Sequence, residues 1–224
     1  MNDTPTEQQI KKPTTNKAGY VYEEMRKQII TCTLQPGIPI NEAVFAETLG
    51  VSKTPVREAI RRLEREGLVS SIAGRGSIVS YITSADVHET FEVREILECG
   101  AARHAAALDD KELFVNRRDA LRALRDLPED DRDTGANNMY DDMHQEIIDS
   151  VQNARLSQLY SEILDSIVRI RNSFGPRFSR RRQHDIIDEH IAVLNAIIEG
   201  DQEKAHVLLR DHLRTALTYI MTVK

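Results

Sequence analysis

Tryptophan is absent from the 224 residues, and five phenylalanines and six tyrosines supply all the large aromatic rings. A chain so poor in aromatics fits a helical rather than a β-rich core. Two cysteines, Cys32 and Cys99, are too few for a disulfide framework or a cysteine-based zinc site. Both are expected in apolar helical contexts as buried structural thiols, which suits a reduced, cytoplasmic location. No run of 18 or more apolar residues occurs, so no membrane span and no membrane partner are expected. Met1 to Lys17 is polar and has no apolar h-region, so it does not read as a secretory signal.

The chain also lacks an overall positive charge. Its net charge of −6 argues at first against a nucleic-acid partner, but the distribution matters more than the sum. Residues 1–80 carry 11 Lys/Arg against 9 Asp/Glu, and residues 81–224 carry 19 against 27. The asymmetry assigns any nucleic-acid surface to the first part and leaves an acidic second part. The length suits two small domains.

The most informative stretch is VSKTPVREAIRRLEREGLV, residues 51–69. Val56, Ala59, Ile60 and Leu63 recur at helical spacing and make one apolar face, while Lys53, Arg57, Arg61, Arg62 and Arg65 make the rest basic. Ser52 or Thr54 can cap its start, Pro55 suits its first position, and Gly67 suits its exit. Before it, NEAVFAETLG at 41–50 reads as a short helix ending at Gly50. Two helices around a tight Gly-containing turn form a helix-turn-helix. After it, two short β-branched runs flank the tip Gly74-Arg75-Gly76, which reads as a hairpin wing.

These motifs, with LQPG at 34–37 ahead of them, resemble the GntR family of bacterial winged-helix regulators over roughly residues 18–80. The resemblance implies that a first helix, expected over Ala18 to Thr33, packs behind the helix-turn-helix. Cys32 stands where relatives often have Gly. It also implies DNA contacts. Ser52 and Thr54 would bond phosphates or base edges, and Lys53 stands at a position that is often Arg. Arg57 would read guanine with its fork of donors. Gly74, Arg75 and Gly76 would bring the wing to the minor groove or to phosphate. Ile38 to Ile40 is expected as a short edge strand beside the wing.

From Asp86 onward the pattern is helical without a strand signal, with six helices expected at about 86–107, 110–126, 135–151, 155–173, 179–199 and 201–221. The fold class is therefore mainly α. A disordered tail at 1–16 precedes a winged helix-turn-helix at 17–82, and an all-α antiparallel bundle follows at 83–224. The segments FEVREILECGAARHAA, MYDDMHQEIIDSVQN and DEHIAVLNAIIEGDQEKAHVLLRDHL resemble the FCD effector domain of FadR-like GntR regulators, in its shorter six-helix branch.

Three of the seven histidines stand apart. His144, His190 and His212 each lie beside the apolar stripe of a different helix, so their imidazoles can meet inside a bundle. Read from the residues alone, they are either core histidines that hydrogen-bond or ligands for a transition metal. The FCD resemblance implies the latter, with a divalent ion such as Zn, or else Ni, Mn or Fe. The family's Asp ligand lies four residues before the first His, where this chain has Tyr140. Asp141 can take its place, or three histidines with water or effector can suffice, or the metal has been lost. Arg94 suits the carboxylate of a small organic acid, or else pairs with Glu98 one turn away. Tyr140 and Asn153 are further candidates to line that pocket.

The reading is a ligand-responsive regulator, in most relatives a repressor. It would bind a palindromic double-stranded operator as a homodimer and respond to a small carboxylate effector. The competing readings are a metal-dependent enzyme with an appended DNA-binding domain, and a constitutive DNA-binding protein with no effector.

Overall fold

The computed structural model describes residues 16–74, 76–127, 136–174 and 179–222, though not the side chains of 136–142 and 180. The expected tail thus lies, apart from Asn16, outside the described residues. The chain divides into two compact units, residues 1–81 and 82–224.

In the first unit α1 (Lys17–Ile30) packs against α3 (Lys53–Arg65), and α2 (Glu42–Thr48) packs beside α3. The core is one apolar cluster that includes Val21, Met25, Ile29, Val56, Leu63 and Val79. Asn41 starts α2 by accepting hydrogen bonds from the backbone of Ala43 and Val44 at 2.9 and 3.3 Å. Strands β1 (Val69–Ile72) and β2 (Gly76–Val79) pair antiparallel, Val69 opposite Val79. The expected edge strand is a single antiparallel bridge, Pro39 to Ile78, bonded on either side through Gly37 N to Val79 O (2.8 Å) and Ile40 N to Ser77 O (2.8 Å). Gly37 has φ +83°, and a Cβ there would stand 2.7 Å from the Tyr81 ring. Glycine therefore serves this turn twice, through its backbone and through the space it leaves.

Two expectations need correction here. Helix α1 ends at Ile30, three residues early, because Cys32 adopts the left-handed φ of 55° that closes a helix. Cys32 is accordingly half-buried beyond the helix, whereas Cys99 is buried within one. Pro55 is the third residue of α3 rather than the first. It is tolerated because the first four N–H groups of a helix have no partner within it.

The second unit is all helix among its described residues: α4 (Ser84–Ala107), α5 (Glu112–Asp126), α6 (Ala136–Ser150), α7 (Ala154–Phe174), α8 (Arg180–Ile198) and α9 (Gln202–Thr222). Thr83 and Asp86 form a reciprocal capping box at the start of α4. Helix α4 is central and packs on α6, α7, α8 and α9. Its antiparallel pairing with α9 is marked by ion pairs of Arg103 with Glu203 and of Arg214 with Glu95. No helix among the described residues is long and apolar enough to cross a membrane.

Candidate metal centre and DNA-binding surface

His144 on α6, His190 on α8 and His212 on α9 converge. The three residues are 5%, 1% and 6% exposed, and one ring nitrogen from each lies within 4.8 Å of the others. The closest approach is between Nε2 of His190 and Nε2 of His212, at 3.1 Å. The imidazoles thus meet in the interior of the bundle with almost no access to water.

A second layer of charge fixes their orientation. Nδ1 of His144 contacts Glu98 Oε2 at 2.6 Å, and Nδ1 of His212 contacts Glu189 Oε2 at 2.6 Å. When a carboxylate accepts from Nδ1–H, the lone pair sits on Nε2, the atom that would bind a metal. Burial pushes His212 down to about 4, despite the opposing hydrogen bond that it donates to Glu189. Burial, reinforced by the other two imidazoles and by Arg94 and Arg182, holds His190 well below its usual range. At neutral pH both are neutral, the state a metal requires.

The two carboxylates are themselves held. Glu98 on α4 is 0% exposed and also accepts from Arg94 Nε at 2.7 Å and from the Tyr160 hydroxyl at 2.9 Å. Burial alone would raise its carboxyl, but the charge of Arg94 and the bonds from His144 and Arg94 hold it well below the usual carboxylate range. Glu189 accepts from both terminal nitrogens of the buried Arg182, at 2.5 and 3.1 Å. Burial opposes its ionisation too, and the bonds from His212 and Arg182 prevail. Three buried imidazoles, two of them oriented by ionised carboxylates, fit a divalent transition metal in donor type.

In the first unit, Ser52, Lys53, Thr54 and Arg57 are all exposed at the start of α3. Ser52 occupies the N-cap position, but its hydroxyl makes no capping bond. Arg57 Nε contacts Glu42 Oε2 at 2.7 Å in an exposed pair. Such a pair contributes roughly 0–1 kcal/mol, so it does not commit the guanidinium. Gly74 and Gly76 carry left-handed φ values of 74° and 78° at the tip of the hairpin. Arg75 lies outside the described residues.

The family of bacterial regulatory proteins called gntR matches residues 17–79, and the FCD domain matches residues 89–215. The chain belongs to the GntR family and carries an FCD domain. Among its relatives is the HTH-type transcriptional regulator YdhC of Bacillus subtilis (strain 168), 28% identical over 206 residues, 88% of this chain and 90% of YdhC. The HTH-type transcriptional repressor RspR of Escherichia coli (strain K12) is 35% identical over 96 residues, 43% of this chain and 42% of RspR. A solved GntR regulator from Rhodococcus sp. RHA1 shares the fold with a TM-score of 0.71 at 21% identity, covering 94% of this chain and all of that one. This GntR protein is therefore a transcriptional regulator and not an enzyme, and its first unit is a DNA-binding module.

Arg94 forms the pair with Glu98 that was one of its two readings, and its guanidinium also lies 5.0 Å from the centre of the Phe91 ring. Asn153 lies at the start of α7. It is exposed, and its side-chain oxygen starts α7 by accepting from the backbone of Arg155 and Leu156 at 3.0 and 3.3 Å. Tyr140 and Asp141 lie on α6, but their side chains are outside those described. Glu189 and Arg182 were missed, and Glu98 entered only as a partner for Arg94, since acids and arginines in helices read as solvated; Tyr160 was missed as well. The available signal for Glu98 was its place among Phe91, Ala101, Ala102 and Ala105, which are all buried on the same helix.

Proposed function

We propose that this regulator represses transcription as a homodimer on a palindromic double-stranded operator. We further propose that its FCD unit binds one divalent transition metal, zinc first among Zn, Ni, Mn and Fe, together with a small carboxylate effector. The observation that carries the metal reading is the trio His144, His190 and His212, buried together with Glu98 and Glu189 on two outer ring nitrogens. Asp141, on α6 one turn before His144, is the candidate fourth ligand. When bound, the metal supplies a position that a carboxylate oxygen can take. Arg94 gives Nε to Glu98 and also bonds with the Tyr160 side chain. Its guanidinium is the group proposed to meet the effector's carboxylate.

On the DNA side, Arg57 would read guanine from the major groove with its terminal nitrogens while Glu42 keeps Nε. Ser52, Lys53 and Thr54 would hold phosphates or base edges, and Gly74, Arg75 and Gly76 would place the wing on the backbone or in the minor groove. Repression agrees with the name of the partial relative RspR. Effector binding would shift the population between two arrangements that differ in operator affinity.

The test is elemental analysis of the full chain purified without chelator or a histidine tag, alongside His190→Ala. About one equivalent of metal per chain, lost in the variant, is expected. Metal absent from both, or retained in the variant, overturns the metal reading. Operator binding is then measured with a panel of organic acids. An affinity that no acid changes would leave a constitutive DNA-binding protein.

A further inference from the structure

Arg57 is the cation that the fold holds in place on the side of α3 expected to meet DNA. Its Nε donates to Glu42 Oε2 at 2.7 Å. Arg62 is held as well, but on the side of α1, by Glu66 at 3.3 Å and over the Tyr22 ring at 3.5 Å. Lys53, Arg61 and Arg65 are exposed and make no ion pair among the described residues.

The carboxylate is built into the helix-turn-helix. Glu42 is the first residue of α2, and Asn41 fixes that turn by accepting from the backbone of Ala43 and Val44. A negative side chain suits the place, because the N-terminal end of a helix carries partial positive charge. The turn to α3 is closed by Gly50 N to Glu47 O at 3.1 Å and by Val51 N to Ala46 O at 2.9 Å. Ala46 lies in the same core as Val56 and Ala59 of α3. Glu42 and Arg57 are therefore 15 residues apart in the chain but anchored to one packed unit.

We propose that Glu42 is a positioning residue for base recognition: by occupying Nε, it presents the two terminal nitrogens of Arg57 end-on to O6 and N7 of a guanine. A guanidinium offers parallel donors either from its side, through Nε and one terminal nitrogen, or from its end, through both terminal nitrogens. The bond to Glu42 takes the side-on pair out of use. The terminal nitrogens of Arg57 make no bond among the described residues, and as an end-on pair they match the two acceptors of guanine. An arginine without such a tether has many rotamers and can turn to phosphates, which carry no sequence information. The carboxylate beside Arg57 also repels a phosphate from that position. The pair is weak while water surrounds it, its side chains being 60% and 36% exposed. A docked duplex excludes that water and strengthens the bond.

This inference rests on the reading of Arg57 as a guanine contact, and the experiment separates the two. The full chain selects its preferred duplexes from a randomised pool. Dissociation constants are then measured for the recovered duplex, for its single base-pair changes at every guanine, and for an unrelated duplex. The proteins are wild type, Arg57→Ala, Glu42→Ala and Glu42→Gln. A ratio between two duplexes does not depend on how much of a variant is folded. Wild type should prefer guanine at the Arg57 position by about 5–150-fold, and Arg57→Ala should abolish that preference at that position only. Glu42→Ala should cut the preference there about 5-fold, while its affinity for the unrelated duplex stays level or rises. Glu42→Gln keeps an oxygen that accepts from Nε and should retain most of the preference. If Arg57→Ala weakens every duplex alike, the guanine reading fails and this one with it. If Arg57→Ala relaxes one position but Glu42→Ala leaves the ratio there at its wild-type value, Glu42 is not a positioning residue. A loss in Glu42→Gln as large as in Glu42→Ala would overturn the bond to Nε as the cause.

Discussion

Glu98→Gln tests whether the carboxylate layer around the histidines is a working part of the centre. The substitution keeps the shape and removes the charge. Three groups depend on it: Arg94 Nε at 2.7 Å, His144 Nδ1 at 2.6 Å and the Tyr160 hydroxyl at 2.9 Å. Arg94 is itself buried, so the variant leaves a guanidinium in the core without its counter-ion. Breaking one side of a buried ion pair costs about 3–5 kcal/mol. For a chain of this size that lowers the melting temperature by roughly 10 °C. A glutamine amide also presents an N–H₂ group toward its partners. Where that group meets Nδ1 of His144, it favours the tautomer with the proton on Nε2. Metal affinity should therefore fall about 10–100-fold. Thermal unfolding of the chelator-treated protein reads the first effect, and a competitive zinc titration at pH 7.5 reads the second. A variant within about 0.5 kcal/mol of wild type, binding zinc equally well, would refute the claim that Glu98 orients His144.

Two further outcomes follow from the same geometry. The metal-free protein should lose stability as pH falls from about 6.5, the unfolded value for histidine, toward the folded value of about 4 for His212. A depressed folded value means that the unfolded chain takes up protons first, so acid favours unfolding, by about 3 kcal/mol for this residue across that window. His190 acts in the same direction, and Glu98 adds its loss only below the ordinary carboxylate range. Urea midpoints that stay flat between pH 7 and pH 5 would contradict this. In the first unit, Gly37→Ala should destabilise by about 2 kcal/mol or more through its left-handed backbone and its clash with Tyr81. Adding Tyr81→Ala should recover the clash but not the backbone strain, and full recovery in urea denaturation would show that the φ is harmless.

The elements of the DNA-binding unit could be read because its signals are local. Caps, turn glycines and short periodic runs placed α2, α3 and the hairpin, and the errors were local too: a single backbone angle ended α1 before Cys32, and α3 began two residues before Pro55. The six helices of the second unit were legible to within about two residues from their apolar periodicity and polar separators. The three histidines could be singled out because each lies beside an apolar stripe. Their carboxylate partners could not, because a buried Glu98 differs from a solvated one only in what surrounds it in three dimensions. Helix α4 is the clearest case. It packs on α6, α7, α8 and α9, so its buried residues lie on several sides of the helix, while Glu92, Val93, Ile96 and Arg103 stay exposed.

Helix α4 is one unbroken rod of 24 residues whose first turn is locked by Thr83 and Asp86. The first unit ends at Tyr81, so the rod begins almost where that unit stops. Glu98 lies fourteen residues along, about 21 Å from Ser84. A tilt of about 5° imposed at Glu98 would displace the Ser84 end by about 2 Å, with no hydrogen bond broken inside the helix. Between Glu98 and Ser84 the rod contains no glycine or proline to absorb such a tilt. In mechanical terms α4 is a lever arm, with the imidazole cluster bearing on one point and the connection to the DNA-binding unit at its tip.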